Sequence, residues 1–285
     1  MLSGLFTVHL LTYYAAPDMK KAFAQLTFLV MLFFSAWFLL SKVDFMKLLN
    51  VEHYSKSTEQ KLGELIYESI SETQTVETDS ASLAKLDEIK VTICSKNSLD
   101  TAGIKIHLIK SKEVNAFALP NGHLVVYTGL IDDCESAEEL SGVLGHEMAH
   151  IEHHHVMKKL VKEVGLSALM VVTGGNGGGQ VVKQLVKLLS STAYDRKLET
   201  DADMTSVDYL CNANIDPEPF ANFLYRLESE VEKGAPKEIY WISTHPESEK
   251  RAQEIVKYIK TKKVVKRPLM LTADWEAFKN GVKDL

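Results

Sequence analysis

The sequence predicts an α+β fold that is mainly helical, with a small mixed β-sheet and one hydrophobic helix near the N-terminus. Apolar residues from position 136 onward recur at spacings of three and four, which is typical of amphipathic helices. Strand-like runs occur at 89–94 and 104–109, and two further strand-like runs are joined by a turn at 120–122. Together these runs predict a small sheet. An uncharged apolar run at 22–40 supplies the N-terminal helix.

The apolar run at residues 22–40 predicts a membrane anchor that crosses the bilayer once. As a helix it rises about 28 Å, close to the thickness of the hydrocarbon layer, and Trp37 near one end suits a membrane interface. Lysines flank both ends and leave the orientation open, although we favour a periplasmic or other extracytoplasmic location for the main domain. A buried helix of a soluble protein and a cleaved signal peptide are the alternatives.

The rest of the chain divides into an apolar segment at 1–21, a helix and polar linker at 41–82, the main domain at 83–268 and a C-terminal extension at 269–285. The net charge of −6 does not indicate the positively charged surface that binds nucleic acids, so we expect no nucleic-acid partner. Three widely spaced cysteines without a C-x-x-C pair predict buried thiols rather than a disulfide framework. No feature of the sequence predicts the oligomeric state.

The run Gly145-His146-Glu147-Met148-Ala149-His150 contains an H-E-x-x-H motif inside a predicted helix. His146 and His150 are about one turn apart, so they project from the same face and can bind one zinc ion. Glu147 lies beside that position and can take a proton from a zinc-bound water. The motif therefore predicts metal-assisted hydrolysis of an amide bond.

The residues around this motif predict a well-supported helix. Ser136 and Glu139 match a capping box at its start, and apolar residues at spacings of three and four bury one face. The alternative is a polar, His-rich helix, because three more histidines follow directly. We expect His153, His154 and His155 to be exposed helix residues, with a second metal as the less favoured interpretation.

A catalytic zinc site needs a third protein ligand and an open position for water. The metzincin pattern requires Gly at 153 and His at 156, where this chain has His153 and Val156, so that class is excluded. The best candidates are Glu199 and Asp203, which lie four apart on one helical face. Glu199 can bind the metal, and Asp203 can accept a hydrogen bond from a ligand imidazole. A solvated acidic face is the alternative.

H-E-x-x-H followed about fifty residues later by E-x-x-A-D resembles metallopeptidase family 48, a gluzincin family that contains CAAX prenyl endopeptidases, HtpX-type proteases and mitochondrial Oma-type proteases. Segments at 115–130, 136–140 and 243–251 also resemble this family, and the similarity covers roughly 58–260. One departure is Asp195, where the family usually has Ser before the Arg of the second metal helix.

The resemblance implies a mainly helical zinc metalloprotease domain that binds one zinc ion per chain. It implies that His146, His150 and Glu199 are the ligands, and that Glu147 is the general base. His245 is assigned to the oxyanion of the tetrahedral intermediate, with a helix-entry role before Pro246 as the equal alternative.

The resemblance also suggests an oxyanion role for Arg251, although a structural salt bridge is favoured there. It further implies a substrate strand next to the cleft, which would pair with an extended peptide by strand addition. The predicted strand residues are Asn115, Ala116, Phe117 and Ala118. The alternative is an ordinary core hairpin. The glycine-rich stretch at 174–179 is either a gate over the site or a flexible connector, the connector being favoured.

These features together predict a zinc-dependent metalloendopeptidase that cleaves protein or peptide substrates. By resemblance, its expected role is membrane-associated protein quality control, with residues 22–40 contacting the membrane. The alternative is a non-catalytic zinc-binding member of the same family with a chaperone-like or scaffolding role.

Overall fold

The computed structural model describes residues 19–42, 56–176, 178–234, 239–264 and 267–284, in two compact units that comprise residues 1–53 and 54–285. In the first unit, helix α1 (Met19–Lys42) exposes its large apolar side chains between Phe23 and Phe38. The predicted N-terminal helix is therefore confirmed. Two predicted segments lie partly outside the described residues. These are positions 1–18 of the apolar segment predicted at 1–21, and positions 43–55 of the helix and polar linker predicted at 41–82.

A membrane-spanning anchor was predicted at 22–40. Within the described ranges, no helix combines the length and the apolar character needed to cross a membrane.

The described residues of the second unit are mainly helical, as predicted, and include three short strands. In chain order its elements are α2 (Lys56–Thr73), α3 (Ser80–Asn97), β1 (Lys105–Ile109), β2 (Ala116–Ala118), β3 (His123–Tyr127), α4 (Thr128–Asp133), α5 (Ala137–Glu152), α6 (His155–Val164), α7 (Leu166–Val171), α8 (Gly179–Ser191), α9 (Arg196–Asn212), α10 (Glu218–Glu232), α11 (Trp241–Thr244), α12 (Ser248–Ile259) and α13 (Thr272–Lys283).

The three strands form one mixed sheet in the order β1-β3-β2. β1 pairs with β3 in parallel, and β2 pairs with β3 antiparallel, with Phe117 opposite Val125. The predicted strand at 89–94 is wrong, because these residues lie in α3. Asp79 caps that helix by accepting a hydrogen bond from the Ser82 amide at 2.6 Å. The spacing of four between the buried Ile89 and Ile93 then serves a helical face.

The start of α5 is fixed by the residues that predicted it. Ser136 Oγ accepts a hydrogen bond from the Glu139 amide at 3.2 Å, so Ser136 is the N-cap. A capping box would have the Glu139 carboxylate accept from the amide of Ser136. It accepts instead from the amide of the preceding residue, Glu135, at 2.9 Å. Arg226 of α10 contacts the same carboxylate. The metal helix is therefore held at its first turn by local caps and by an ion pair to the core.

Two glycines let the neighbouring helices approach α5 closely. A Cβ on Gly142 would lie 2.3 Å from the Cβ of Phe220 in α10, and one on Gly145 would lie 2.7 Å from Ser206 Oγ in α9. The Ser206 hydroxyl donates to the Gly142 carbonyl at 2.9 Å. This packing places α9 against the face of α5 that carries the two motif histidines.

The cysteines and the C-terminal extension both contribute to the folded core. Cys94 and Cys134 are buried, Cys211 is half-buried, and all three are free thiols, as the sequence predicted. In α13, Trp275 and Phe278 pack into the same hydrophobic core as α5 and α10.

Candidate active site

The two motif histidines and the predicted acidic ligand meet in the interior of the second unit. His146 and His150 are fully buried on α5, and Glu199 of α9 is 2% exposed. The Nε2 atoms of the histidines are 3.0 Å apart. Glu199 Oε1 lies 3.4 Å from His150 Nε2, and its Oε2 lies 3.7 Å from His146 Nε2.

This donor set fits a zinc ion. Ligand atoms about 2.0–2.2 Å from a tetrahedral zinc lie roughly 3.3 Å from one another. The three separations of 3.0, 3.4 and 3.7 Å bracket that value. Two imidazole nitrogens and a carboxylate are also the donors that zinc prefers. The predicted ligands therefore have both the chemistry and the spacing that one zinc ion needs.

His146 has a carboxylate behind it that can set its tautomer. Its Nδ1 lies 3.0 Å from Asp203 Oδ1, so a proton on Nδ1 faces the carboxylate and the lone pair of Nε2 faces the metal position. Arg251 donates to both oxygens of Asp203 at 2.7 and 2.6 Å and lies 2.7 Å from Glu199 Oε2. Arg251 is thus engaged with two buried carboxylates, in the arrangement of a structural ion pair.

Glu147 is fully buried and is held from two sides. Its Oε2 accepts a hydrogen bond from the Ala118 amide at 2.9 Å, and its Oε1 accepts from Trp241 Nε1 at 3.4 Å. Burial has the largest single effect on the pKa of Glu147 and raises it, but the charge and hydrogen bond of His245, together with His146 and His150, outweigh burial and leave that pKa below its usual value. The carboxylate is therefore ionised, as a general base must be.

His150 is neutral because burial lowers its pKa to about 4, although Glu199 opposes this shift. A neutral imidazole keeps a lone pair for a metal. The ring of His150 also stacks on Tyr194, with the ring centres 4.1 Å apart.

His245 lies among the proposed ligands rather than outside them. Its Nδ1 is 3.2 Å from His146 Nε2 and 3.0 Å from Glu199 Oε1, and its Nε2 is 3.2 Å from Glu147 Oε1. Ligand atoms of His146, His150, Glu199 and His245 all fall within 4.8 Å of one another. The sequence assigned His245 to the oxyanion, and the structure places it close enough to contact the metal position as well.

The predicted substrate strand borders this site. β2 is at the edge of the sheet, and its Ala118 amide contacts Glu147 directly. The free side of the strand is covered in this structure: Asn115 is 1% exposed, and its Nδ2 lies 3.5 Å from the Ser190 carbonyl of α8. Strand addition at this edge therefore requires α8 to move.

Sequence reasoning missed three side chains that contact the proposed ligands. Tyr194 stacks on His150, and Trp241 stacks on His245 with ring centres 4.5 Å apart. His155 was predicted to be exposed, which is wrong, because it is 1% exposed and its Nδ1 lies 3.0 Å from His150 Nδ1.

The cause of the error on His155 is a break between α5 and α6. His154 adopts a left-handed conformation with φ of 53°, which turns the next residue inward. His154 itself is exposed, as predicted. No residue in this run marks the break, so periodicity alone could not reveal it.

Comparison with known proteins supports the resemblance drawn from these motifs. The model of Peptidase family M48 matches residues 84–259. Metalloendopeptidase OMA1, mitochondrial, of Bos taurus is 32% identical over 167 residues, which cover 54% of this chain and 32% of the relative. Metalloprotease LoiP of Escherichia coli K12 is 32% identical over 165 residues, which cover 56% of this chain and 64% of the relative. The chain thus spans about a third to two thirds of the length of these relatives.

Proposed function

Because the chain belongs to peptidase family M48, we propose that it is a zinc-dependent endopeptidase that cleaves protein or peptide substrates in membrane-associated protein quality control. One observation carries the catalytic part of this proposal. Two imidazole nitrogens and the Glu199 carboxylate converge on one position, and the ionised carboxylate of Glu147 lies beside it. Membership in this family gives the enzyme class, a metalloendopeptidase.

The residues of this site have separate tasks in peptide hydrolysis. A bound zinc ion supplies Lewis acidity, which polarises the scissile carbonyl and makes water acidic enough to lose its proton near neutral pH. Glu147 accepts that proton and passes it to the leaving amide nitrogen. We propose that His245, whose Nε2 lies 3.2 Å from Glu147 Oε1, donates to the carbonyl oxygen as negative charge develops.

We infer that the substrate enters as an extended strand along β2. Backbone pairing at a sheet edge reads the shape of a peptide and little of its sequence, so broad specificity follows. The contact between the buried amide of Ala118 and Glu147 supports this inference. We propose that Gly174 and Gly175, which lie before α8, act as a hinge that can uncover this edge.

Glu147→Gln tests the catalytic proposal, and Glu152→Gln is its matched control, because Glu152 is an exposed glutamate near the end of the same helix. We expect Glu147→Gln to bind one zinc ion per chain and to lose casein cleavage by several orders of magnitude. Glu152→Gln should retain cleavage, and a chelator should abolish it in the wild type. Full cleavage by Glu147→Gln would contradict its role. Zinc binding without any cleavage by the wild type would favour the non-catalytic alternative.

We also propose that residues 22–40 contact a membrane. The exposed apolar side chains of α1, among them Phe33, Phe34 and Trp37, support this proposal. Flotation of the full chain with phospholipid vesicles tests it, and replacing these three residues by Ser should release the protein. Equal flotation of both chains would contradict the proposal. Protease accessibility in intact cells tests our preference for an extracytoplasmic catalytic domain.

A further inference from the structure

His155 is a buried imidazole that the mechanism above does not use. It opens α6 directly after the left-handed residue His154, and it is 1% exposed. Its Nδ1 lies 3.0 Å from Nδ1 of the proposed ligand His150. On the other side of the ring, Nε2 lies 3.3 Å from Asp201 Oδ2 of α9.

The two Nδ1 atoms face each other, so a hydrogen bond between them requires that one nitrogen carries a proton and that the other offers a lone pair. If that proton were on His155, the Nε2 of a neutral His155 would turn a lone pair toward the Asp201 carboxylate, and two acceptors would face each other at 3.3 Å. If the proton is on His150 Nδ1, that N–H donates a hydrogen bond to His155 Nδ1, and His155 turns its own Nε2–H toward Asp201. The second arrangement is the favourable one.

We propose that His155 and Asp201 position the second zinc ligand. Asp201 fixes the tautomer of His155, the His155 Nδ1 accepts a hydrogen bond from the Nδ1–H of His150, and the lone pair of His150 Nε2 is thereby directed at the metal. This inference rests on the proposed zinc site. Both residues act on the metal through His150, so they are positioning residues rather than catalytic ones.

The arrangement parallels the one around the first ligand. His146 has Asp203 behind it at 3.0 Å, and His150 reaches Asp201 through His155. Asp201 and Asp203 both lie on α9, the helix that also provides Glu199. One helix thus supplies the third ligand and the carboxylates that orient the other two. Hydrogen-bond partners of this kind strengthen metal binding by about 10–100-fold.

The test is the zinc affinity of purified full chains, measured by competition with a chromophoric chelator. His155→Phe keeps a buried ring and removes the acceptor, so we expect zinc affinity to fall by about 10–100-fold. His155→Asn restores an acceptor close to the position of Nδ1, and we expect it to recover most of the lost affinity. His154→Asn, at the exposed neighbour, is the matched control and should bind zinc like the wild type.

A second variant protects the test against misfolding. The Asp201 side chain is 54% exposed, so Asp201→Ala should fold, and we expect it to weaken zinc binding in the same direction as His155→Phe. Wild-type affinity in both His155→Phe and Asp201→Ala would overturn the positioning role and leave the zinc site intact. Equal losses in His155→Phe and His155→Asn would also overturn it. A wild-type chain that binds no zinc would refute the proposed function itself.

Discussion

Replacing Gly142 by Ala should disturb the contact that places α5 beside α10. The added Cβ would lie 2.3 Å from the Cβ and 2.5 Å from the Cγ of Phe220. The Cβ of Phe220 cannot swing aside, because it is bonded directly to the backbone of α10. Relief therefore requires the two helices to separate.

The magnitude follows from two opposing effects. Overpacking of a tight core costs about 1–3 kcal/mol, and a clash with an immobile atom belongs at the upper end of that range. Alanine is a better helix former than glycine by about 1 kcal/mol. We therefore expect Gly142→Ala to lower the free energy of unfolding by about 2 kcal/mol.

Gly281→Ala is the matched control, because Gly281 also lies in a helix, α13, and no atom lies within 4 Å of its added Cβ. Only the helix-propensity effect remains there, so this variant should be stabilised by up to about 1 kcal/mol. Urea unfolding of the metal-free chains measures both values. The reasoning is refuted if Gly142→Ala is as stable as the wild type, or if the two variants shift stability in the same direction.

Three further predictions concern charge and hinge motion. Arg251→Met leaves two buried carboxylates without their partner and should destabilise the metal-free chain by about 3–5 kcal/mol, whereas Arg196→Met, at a 75% exposed side chain, should change stability by less than about 1 kcal/mol. Burial lowers the pKa of His107 to about 4, so below pH 6.5 the unfolded chain binds protons that the folded chain does not. His107 should therefore contribute up to about 2 kcal/mol less stability at pH 5 than at pH 7, reduced by solvent screening because its ring is only partly buried. In urea unfolding, His107→Gln should lose less stability between pH 7 and pH 5 than the wild type does. Replacing residues 174–179 by alanines should slow turnover if they form a hinge, and unchanged turnover would contradict a gate.

Most of the metal site could be predicted from the sequence, because helical periodicity fixes which residues share a face. His146 and His150 lie one turn apart, and Glu199 and Asp203 repeat that spacing on a second helix. The family and the metalloendopeptidase class inferred from these motifs are confirmed by the family match and by the relatives. The small mixed sheet and the helical remainder are also confirmed.

The features that the sequence did not reveal depend on contacts between distant parts of the chain. The run at 89–94 is rich in β-branched residues and was assigned to a strand, but packing of Ile89 and Ile93 in the core selects a helix. The inward position of His155 depends on one left-handed residue. The approach of His245 to His146 joins residues that are 99 positions apart, which no local pattern encodes.

The buried state of the active site makes opening a required step of catalysis. His146, Glu147 and His150 are all fully buried, so a peptide carbonyl cannot reach them in this structure. The side of the cleft where a peptide strand could pair is β2, and the Asn115 contact to Ser190 shows α8 covering it. We expect displacement of α8 to uncover the edge strand, whose Ala118 amide contacts Glu147 beside the proposed metal position. We therefore propose that substrate binding and access to the metal are coupled through movement of α8, in which case the rate of cleavage depends on how often α8 leaves the edge.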